Sequence, residues 1–226
     1  MSFNPYLKNM QLCDTAVPYL YATQQAVDWF DPLKDYTKLE YEWVMEHVPL
    51  EDEIVLDAGC HQGNYAVVLA ACGAHVIAVD AYEPNCQITA RNLSNLQTMY
   101  RVHNKAIWSR AGLVEFGGGS NGMAGHGGAL VECAKLSSFA QWPTVVKVDI
   151  EGGEFEIMPA AFDEMNEVEY WIIEIHPNQG EPEVITGALM KHGFDVLKVD
   201  REIMEVVPYE PGSQWPTHAT VIGVKE

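Results

Sequence analysis

Basic residues are scarce in this chain. Its 226 residues hold 13 Lys and Arg against 32 Asp and Glu, a formal charge of -19. Such a surface repels phosphate backbones and anionic headgroups, so neither nucleic acid nor a membrane surface is expected as a partner. The bland meaning of the same acidity is solubility. Long apolar runs are missing too. None approaches the ~20 residues of a membrane span, and no basic, apolar and small-residue leader pattern opens the chain. Cysteine is sparse and unpatterned. The five (Cys13, Cys60, Cys72, Cys86 and Cys133) are odd in number, lack C-x-x-C spacing and fall partly in segments that read as buried. A soluble protein of the reducing cytoplasm is therefore expected. Two phosphate-binding signatures are absent as well. No glycine turn ends in Lys-Ser or Lys-Thr, and none carries all three glycines of the dinucleotide fingerprint.

What is present centres on Ile54-Val55-Leu56-Asp57-Ala58-Gly59-Cys60-His61-Gln62-Gly63-Asn64-Tyr65. A β-branched apolar run ends in a carboxylate, a glycine turn follows, and the apolar segment from Ala66 to Cys72 comes next. The pattern predicts strand, tight turn and buried helix. Gly59 has no Cβ and lets the backbone approach a ligand closely. The helix start offers unpaired N–H groups. One close-approach glycine, no phosphate-binding lysine and a strand-end acid suit an adenosine carrying a cationic amino-acid tail, which is S-adenosylmethionine. A glycine turn in any other α/β protein is the competing reading. His75 to Asp80 is a second buried strand ending in an acid. Asp80 lies about 20 residues past Gly59, the usual offset of a ribose-binding carboxylate. Glu83 is the rival acid, but it precedes Pro84 and reads as the start of the next helix.

With 48% hydrophobic residues, the chain can bury one substantial core. Residues 1–36 form an N-terminal extension or flap and 37–226 the main domain. Up to about residue 35 the chain reads as irregular, with one or two short helices in Thr15 to Phe30. Tyr19, Tyr21, Trp29 and Phe30 either cover a pocket or pack on the domain. Thr37 is the expected cap of a helix reaching His47. After Asp80 the reading is a helix from Glu83, then a strand from Tyr100 to Trp108. There Asn104 could meet an adenine edge, and Ile107 or Trp108 its ring. A short strand spans Leu113 to Phe116. The glycine-rich Gly117 to Gly128 holds no regular element and is a lid or a plain surface loop. Thr144 to Asp149 and Tyr170 to His176 are strands. The helix between them is interrupted at Pro159. Pro182 starts a helix, Phe194 to Val199 is a strand, and Thr217 to Lys225 returns antiparallel.

The chain resembles the FkbM-family methyltransferases. The resemblance rests on Leu56-Asp57-Ala58-Gly59 with Gly63, on Val76 to Asp80, on Asn104 with Ala106, and above all on Lys147 to Glu154 with Glu174-Ile175-His176. Two positions depart from the family pattern. Cys60-His61 stands where Ala-Asn is usual, and Tyr82-Glu83-Pro84 where Phe-Glu-Pro is frequent. The resemblance implies a Rossmann-like class I methyltransferase fold. That fold is α/β, with a mostly parallel seven-stranded sheet, an antiparallel C-terminal strand and helices on both faces. It implies S-adenosylmethionine as cofactor. It also implies a small acceptor, such as a sugar or polyketide-like hydroxyl. The cofactor set is Asp57, Gly59, His61, Gly63 and Asn64 on the first turn, with Asp80, Ala81, Asn104, Ala106, Asp149 and Glu151.

Methyl transfer to an alcohol needs a base within hydrogen-bond reach, or a metal that acidifies the hydroxyl. Asp149, Glu151, Glu174 and His176 all fall at strand ends, where such sites lie. His176 is the expected base, with Glu174 orienting it and Asp149 facing the acceptor. The plain alternative is that His176 satisfies a turn and that Glu151 and Glu154 cap a helix. A Mg²⁺ or Mn²⁺ ion on Asp149, Glu174 and His176 is a minor alternative, and no metal ligand is assigned. His61 and His126 are lesser bases. Other functions left open are N-methylation of an amine, a dehydrogenase, and a binding module without turnover.

Overall fold

In the computed structural model, which describes residues 4–13, 15–29 and 35–225, the chain opens with a hairpin. Strands β1 (Tyr6–Leu12) and β2 (Thr15–Tyr21) pair antiparallel along their whole length. Side chains alternate, so Met10, Leu12, Val17, Tyr19 and Tyr21 enter the core. This corrects the expectation of an irregular N-terminal segment. Pro18 hides the alternation, yet both strands of a two-stranded sheet are edges, where proline is tolerated. Among the described residues of Thr15 to Phe30, α1 (Gln24–Trp29) is the only helix. Tyr19 and Tyr21 are core residues; Phe30 and the Trp29 side chain lie outside the described residues. Helix α2 (Asp35–His47) begins before Thr37, which sits inside its first turn and is not the cap.

The main layer alternates strand and helix. In chain order these are β3 (Ile54–Ala58), α3 (Asn64–Ala71), β4 (His75–Asp80), α4 (Glu83–Leu93) and β5 (Tyr100–Asn104). An insertion follows with β6 (Ala106–Ile107), β7 (Gly112–Gly117), β8 (Met123–Ala124) and β9 (Ala129–Ala134). Then come β10 (Val145–Val148), α5 (Glu154–Glu164), β11 (Tyr170–Ile175), α6 (Pro182–Lys191), β12 (Asp195–Asp200), β13 (Glu205–Pro208) and β14 (Ala219–Val224). The sheet order is β13-β12-β14-β11-β10-β3-β4-β5. The five strands from β5 to β11 are parallel, and β14 runs antiparallel between β11 and β12. The expected seven strands are present. An eighth, β13, pairs antiparallel on the β12 edge and corrects the count.

Strand period two sends neighbours to opposite cores. Val55, Val145 and Ile172 join the cluster under α3 and the hairpin, while Leu56, Val146 and Ile173 join the one that holds Ile157 and Phe162 of α5. Both faces of these strands are dry, which is why they read as unbroken apolar runs. Two smaller corrections follow. Helix α5 runs through Pro159, whose ring sits on an exposed face where a freed carbonyl can be solvated. The glycine run is ordered: it carries a 3₁₀ turn at Gly119–Asn121 and β8, in a four-stranded sheet of order β6-β9-β7-β8.

Cys13 and Cys72 form a disulfide that ties the hairpin turn to the end of α3 across 59 residues. This removes the cysteine argument for a reducing compartment, since disulfides are rare there. Cys60, Cys86 and Cys133 are free and buried. No helix among the described residues is long and apolar enough to cross a membrane. Thiol titration of denatured, unreduced protein should find three free thiols, and five after reduction. Reduction should lower the unfolding free energy by ~2–4 kcal/mol in a urea titration.

Candidate functional site

The parallel strands end along one edge of the sheet, and the chemistry collects there. Gly59 follows β3 with φ +80°, and a Cβ on it would lie 1.7 Å from the Asp149 carbonyl oxygen. Only glycine lets the end of β3 pass the end of β10 this closely. The turn is fixed from β4, because Gly59 and Cys60 donate their N–H groups to the Val79 carbonyl at 2.9 and 3.0 Å. Gly63 (φ +84°) closes the turn and starts α3. Asp57 does not reach the crevice. Its Oδ2 accepts the Ala66 N–H in the first turn of α3 at 3.0 Å. The hairpin holds the same turn from behind. Tyr19 donates to Asn64 Oδ1 and to the Gln62 carbonyl.

Asp80, at the end of β4, faces the crevice beside Gly59 and Ala81. Its Oδ2 accepts the His61 N–H at 2.8 Å and its Oδ1 the Tyr82 N–H at 2.7 Å. Burial pushes its carboxyl up to about 7, and Asp57 up to about 6. Glu83 opens α4 and does not line the crevice. Asn104 also stays off the wall, donating to the Asp80 and Ala81 carbonyls at 3.2 and 3.0 Å. Val79, Ala106, Ile107 and Phe116 form an apolar side.

The glycine run folds over this crevice. Ser120 Oγ lies 2.7 Å from His61 Nε2 and donates to Asn85 Oδ1 at 3.0 Å. Asn121 donates to Glu151 Oε1 at 3.3 Å. Burial drops the His61 ring to about 4, so it is neutral here. His126 is exposed and does not line the crevice.

Beyond β10, Asp149 and Glu151 line the crevice, while Glu174 and His176 do not. Lys147 is a buried cation whose Nζ sits 3.0 Å from Asp149 Oδ2 and over the Tyr65 ring at 5.2 Å. Burial pulls Asp149 upward, but Lys147 and His176 outweigh it and hold the carboxyl below its ordinary range. Burial, then the charge of Asp149, pushes both Glu151 and Glu174 up. The partner expected for His176 was Glu174. The structure gives it Glu154 instead. That fully buried carboxylate accepts the His176 N–H at 2.8 Å and meets the ring Nδ1 at 2.9 Å. Its other oxygen accepts the Gly152 N–H at 2.8 Å. Burial lowers His176, but Glu154 overcomes this and carries the ring up to about 9. Glu174 faces His218 Nδ1 at 3.6 Å.

Sequence reasoning missed Lys147, Ser120, Asn121 and His218, and read Glu154 as a mere helix cap. A lone lysine inside Val-Val-Lys-Val-Asp is a visible signal, because an unpaired charge cannot sit in a buried strand. The others carry no local signal.

A methyltransferase FkbM domain matches residues 57–196, more than half of the chain. The chain belongs to the FkbM family of methyltransferases. S-adenosylmethionine is the cofactor of this fold. The chain is similar to the cypemycin N-terminal methyltransferase of a Streptomyces species, 49% identical over 43 residues, which is 19% of this chain and 18% of that protein. Among solved structures it is similar to magnesium protoporphyrin IX methyltransferase from Synechocystis PCC 6803, crystallised with bound SAM. There the identity is 14%, the TM-score 0.51, and the match covers 84% of this chain and 78% of that one. Ribosomal protein L11 methylase from Lactobacillus delbrueckii subsp. bulgaricus gives 16%, 0.51, 84% and 79%. Both are likenesses of fold. The residues present in the FkbM chain fit the cofactor. A buried strand-end acid suits ribose hydroxyls, the apolar side suits a purine, and Asp149 with Glu151 suits a positive charge.

Several of these groups favour their protonated forms in the fold. Asp57 and Asp80 contribute stability below pH about 4 that is lost as pH rises through about 6 and 7. His176 contributes below its ordinary value near 6.5 and loses this through about 9. His61, held down to about 4, opposes this below pH 6.5, so the melting temperature should fall most clearly between pH 6.5 and pH 9. Asp80→Asn should flatten the part between 5 and 7; an unchanged slope would disprove the burial account of Asp80.

Proposed function

We propose that this FkbM-family chain methylates a hydroxyl of a small molecule of the sugar or polyketide-like class. Gly59, Asp80, Ala81, Ala106 and Ile107 hold the nucleoside. Asp57, Gly63 and Asn64 shape the turn from behind, with His61 pinned to Ser120, and Asn104 fixes the loop after Asp80. S-adenosylmethionine supplies both the methyl group and the leaving group. The chain must then align the acceptor and take its proton.

The observation that carries the reading is the carboxylate end of the crevice. Glu151 lines it, has its affinity for protons raised by burial and by Asp149, and sits 3.5 Å from His176 Nε2. His176 holds a proton at neutral pH, so the base role passes from His176 to Glu151. Glu151 would take the acceptor's proton as the acceptor oxygen receives the methyl group, with S-adenosylhomocysteine as the leaving group. The products are a methyl ether, S-adenosylhomocysteine and a protonated Glu151. His176 and Asn121 steady the carboxylate. The strong negative charge of the chain supports a small acceptor over nucleic acid.

A second reading, N-methylation of an amine, is favoured by the same acids, which could hold an ammonium group, and by the short likeness to the cypemycin N-terminal methyltransferase. Glu151→Gln should lower kcat on a hydroxyl acceptor by about 10²-fold or more while calorimetric affinity for S-adenosylmethionine stays within about threefold. Full turnover in that variant would overturn the base role. Asp80→Ala should abolish cofactor binding.

A further inference from the structure

Among the described residues, the N-terminal hairpin shares no ladder with the main sheet; β1 and β2 form a two-stranded sheet of their own. A ribbon of two strands is marginal alone, so its seat depends on what ties it to the domain. Those ties run to the two ends of α3. At the C-terminal end, Cys13 is bonded to Cys72, which caps the helix. At the N-terminal end, the Tyr19 hydroxyl is shared between Asn64 Oδ1 and the Gln62 carbonyl, on either side of Gly63. Gly63 is the N-cap of α3 and offers no side chain to it, so a phenol from another element spans the turn. Asn92 of α4 repeats the link. Its Oδ1 accepts the Leu20 N–H at 2.8 Å, and its Nδ2 donates to the Gln62 carbonyl at 3.0 Å. Gln62 Nε2 donates to Thr23 Oγ1, just past β2, at 3.0 Å. Tyr19, Gln62, Asn64 and Asn92 are all buried, so water does not readily replace a lost contact among them.

We propose that Tyr19 is a positioning residue for S-adenosylmethionine, and that the Cys13–Cys72 disulfide governs how firmly it holds the turn. The inference rests on the methyltransferase reading, because the same turn puts Gly59 and His61 on the crevice wall. With the bond closed, the hairpin is fixed at one end of α3 while Tyr19 clamps the other. A dithiol opens it. The disulfide takes up two electrons and two protons, Cys13 and Cys72 become thiols, and the dithiol closes to its own disulfide. Cys13 is exposed and Cys72 half-buried, so the bond lies within reach of such a reductant. The hairpin then keeps its apolar seat through Met10, Val17 and Tyr21, but its turn is released and can open locally. Strand β2 starts at that released turn and carries Tyr19. Cofactor affinity thereby depends on the redox state of a bond that lies off the crevice wall.

The test is calorimetric affinity of the full chain for S-adenosylhomocysteine, with and without dithiothreitol, below the melting temperature of both forms. Hydrogen exchange across Gln62 to Asn64 is followed on the same samples. Reduction should weaken binding about tenfold, the worth of one buried hydrogen bond, and should speed exchange at the turn. Tyr19→Phe should show the weaker affinity while oxidised and lose no more on reduction, because both changes act through one contact. Cys13→Ser should match the reduced chain without any reductant. Equal affinity in the two redox states overturns the proposal. So does a reductive loss of the same size in Tyr19→Phe, which marks a general loosening of the fold. If no form binds S-adenosylhomocysteine, the cofactor reading falls and exchange decides the rest. Faster exchange on reduction then supports the coupling of disulfide to turn, and unchanged exchange overturns it.

Discussion

The contact between Gly59 and the Asp149 carbonyl sets the geometry of everything around it. Two parallel strands end within a distance that no side chain could share. The turn between β3 and α3 is thereby pressed against the loop that carries the acids. Separate those strand ends by the width of a methyl group and Asp80, Asp149 and Glu151 no longer line one crevice. The backbone bonds from the turn to Val79, the Asp80 carboxylate on the His61 N–H and the Tyr19 hydroxyl on Asn64 all hold this approach in place.

Electrostatics then works within that frame. Asp57, Asp149 and Glu174 are gathered around one lysine, Lys147, under an apolar sheet, with Glu154 buried against His176 nearby. A medium that solvates charge poorly cannot hold so many carboxylates ionised. Protons and a charged imidazole make up the difference in the free protein. On the proposed reading, a sulfonium ligand would bring positive charge to the same place.

The parts of the chain that were readable are those where one physical signal dominates. The runs at Val55, Val76 and Val145 each end in an acid and a turn, and each is a parallel strand buried on both faces. Of the strands exposed on their faces, β7 was read from Leu113 to Phe116, while β9 and β13 left no such trace. Leu130 in β9 is 65% exposed, and β13 lies on the sheet edge with no fully buried side chain. The hairpin was hidden differently: Val17, Tyr19 and Tyr21 alternate correctly, but Pro18 among them argues for a break. In the site, Asp80 was legible by its position after a strand. The partner of His176 was not, because Glu174 is close in sequence while Glu154 is close in space. His218 joined the group only through the register of an antiparallel strand.

Glu151 holds a left-handed backbone conformation, φ +55°, that a non-glycine residue adopts at a cost of about 1–2 kcal/mol. Its neighbour Gly152, at φ +101°, shows that the loop has glycine within reach of such a position. A glycine at 151 would relieve the strain, so selection for stability alone would drift toward it. Retaining a carboxylate there means that the chain is less stable than its own architecture allows. Designs that harden this protein by computed stability would be drawn to this position, and on the proposed reading they would exchange the base for a sturdier loop.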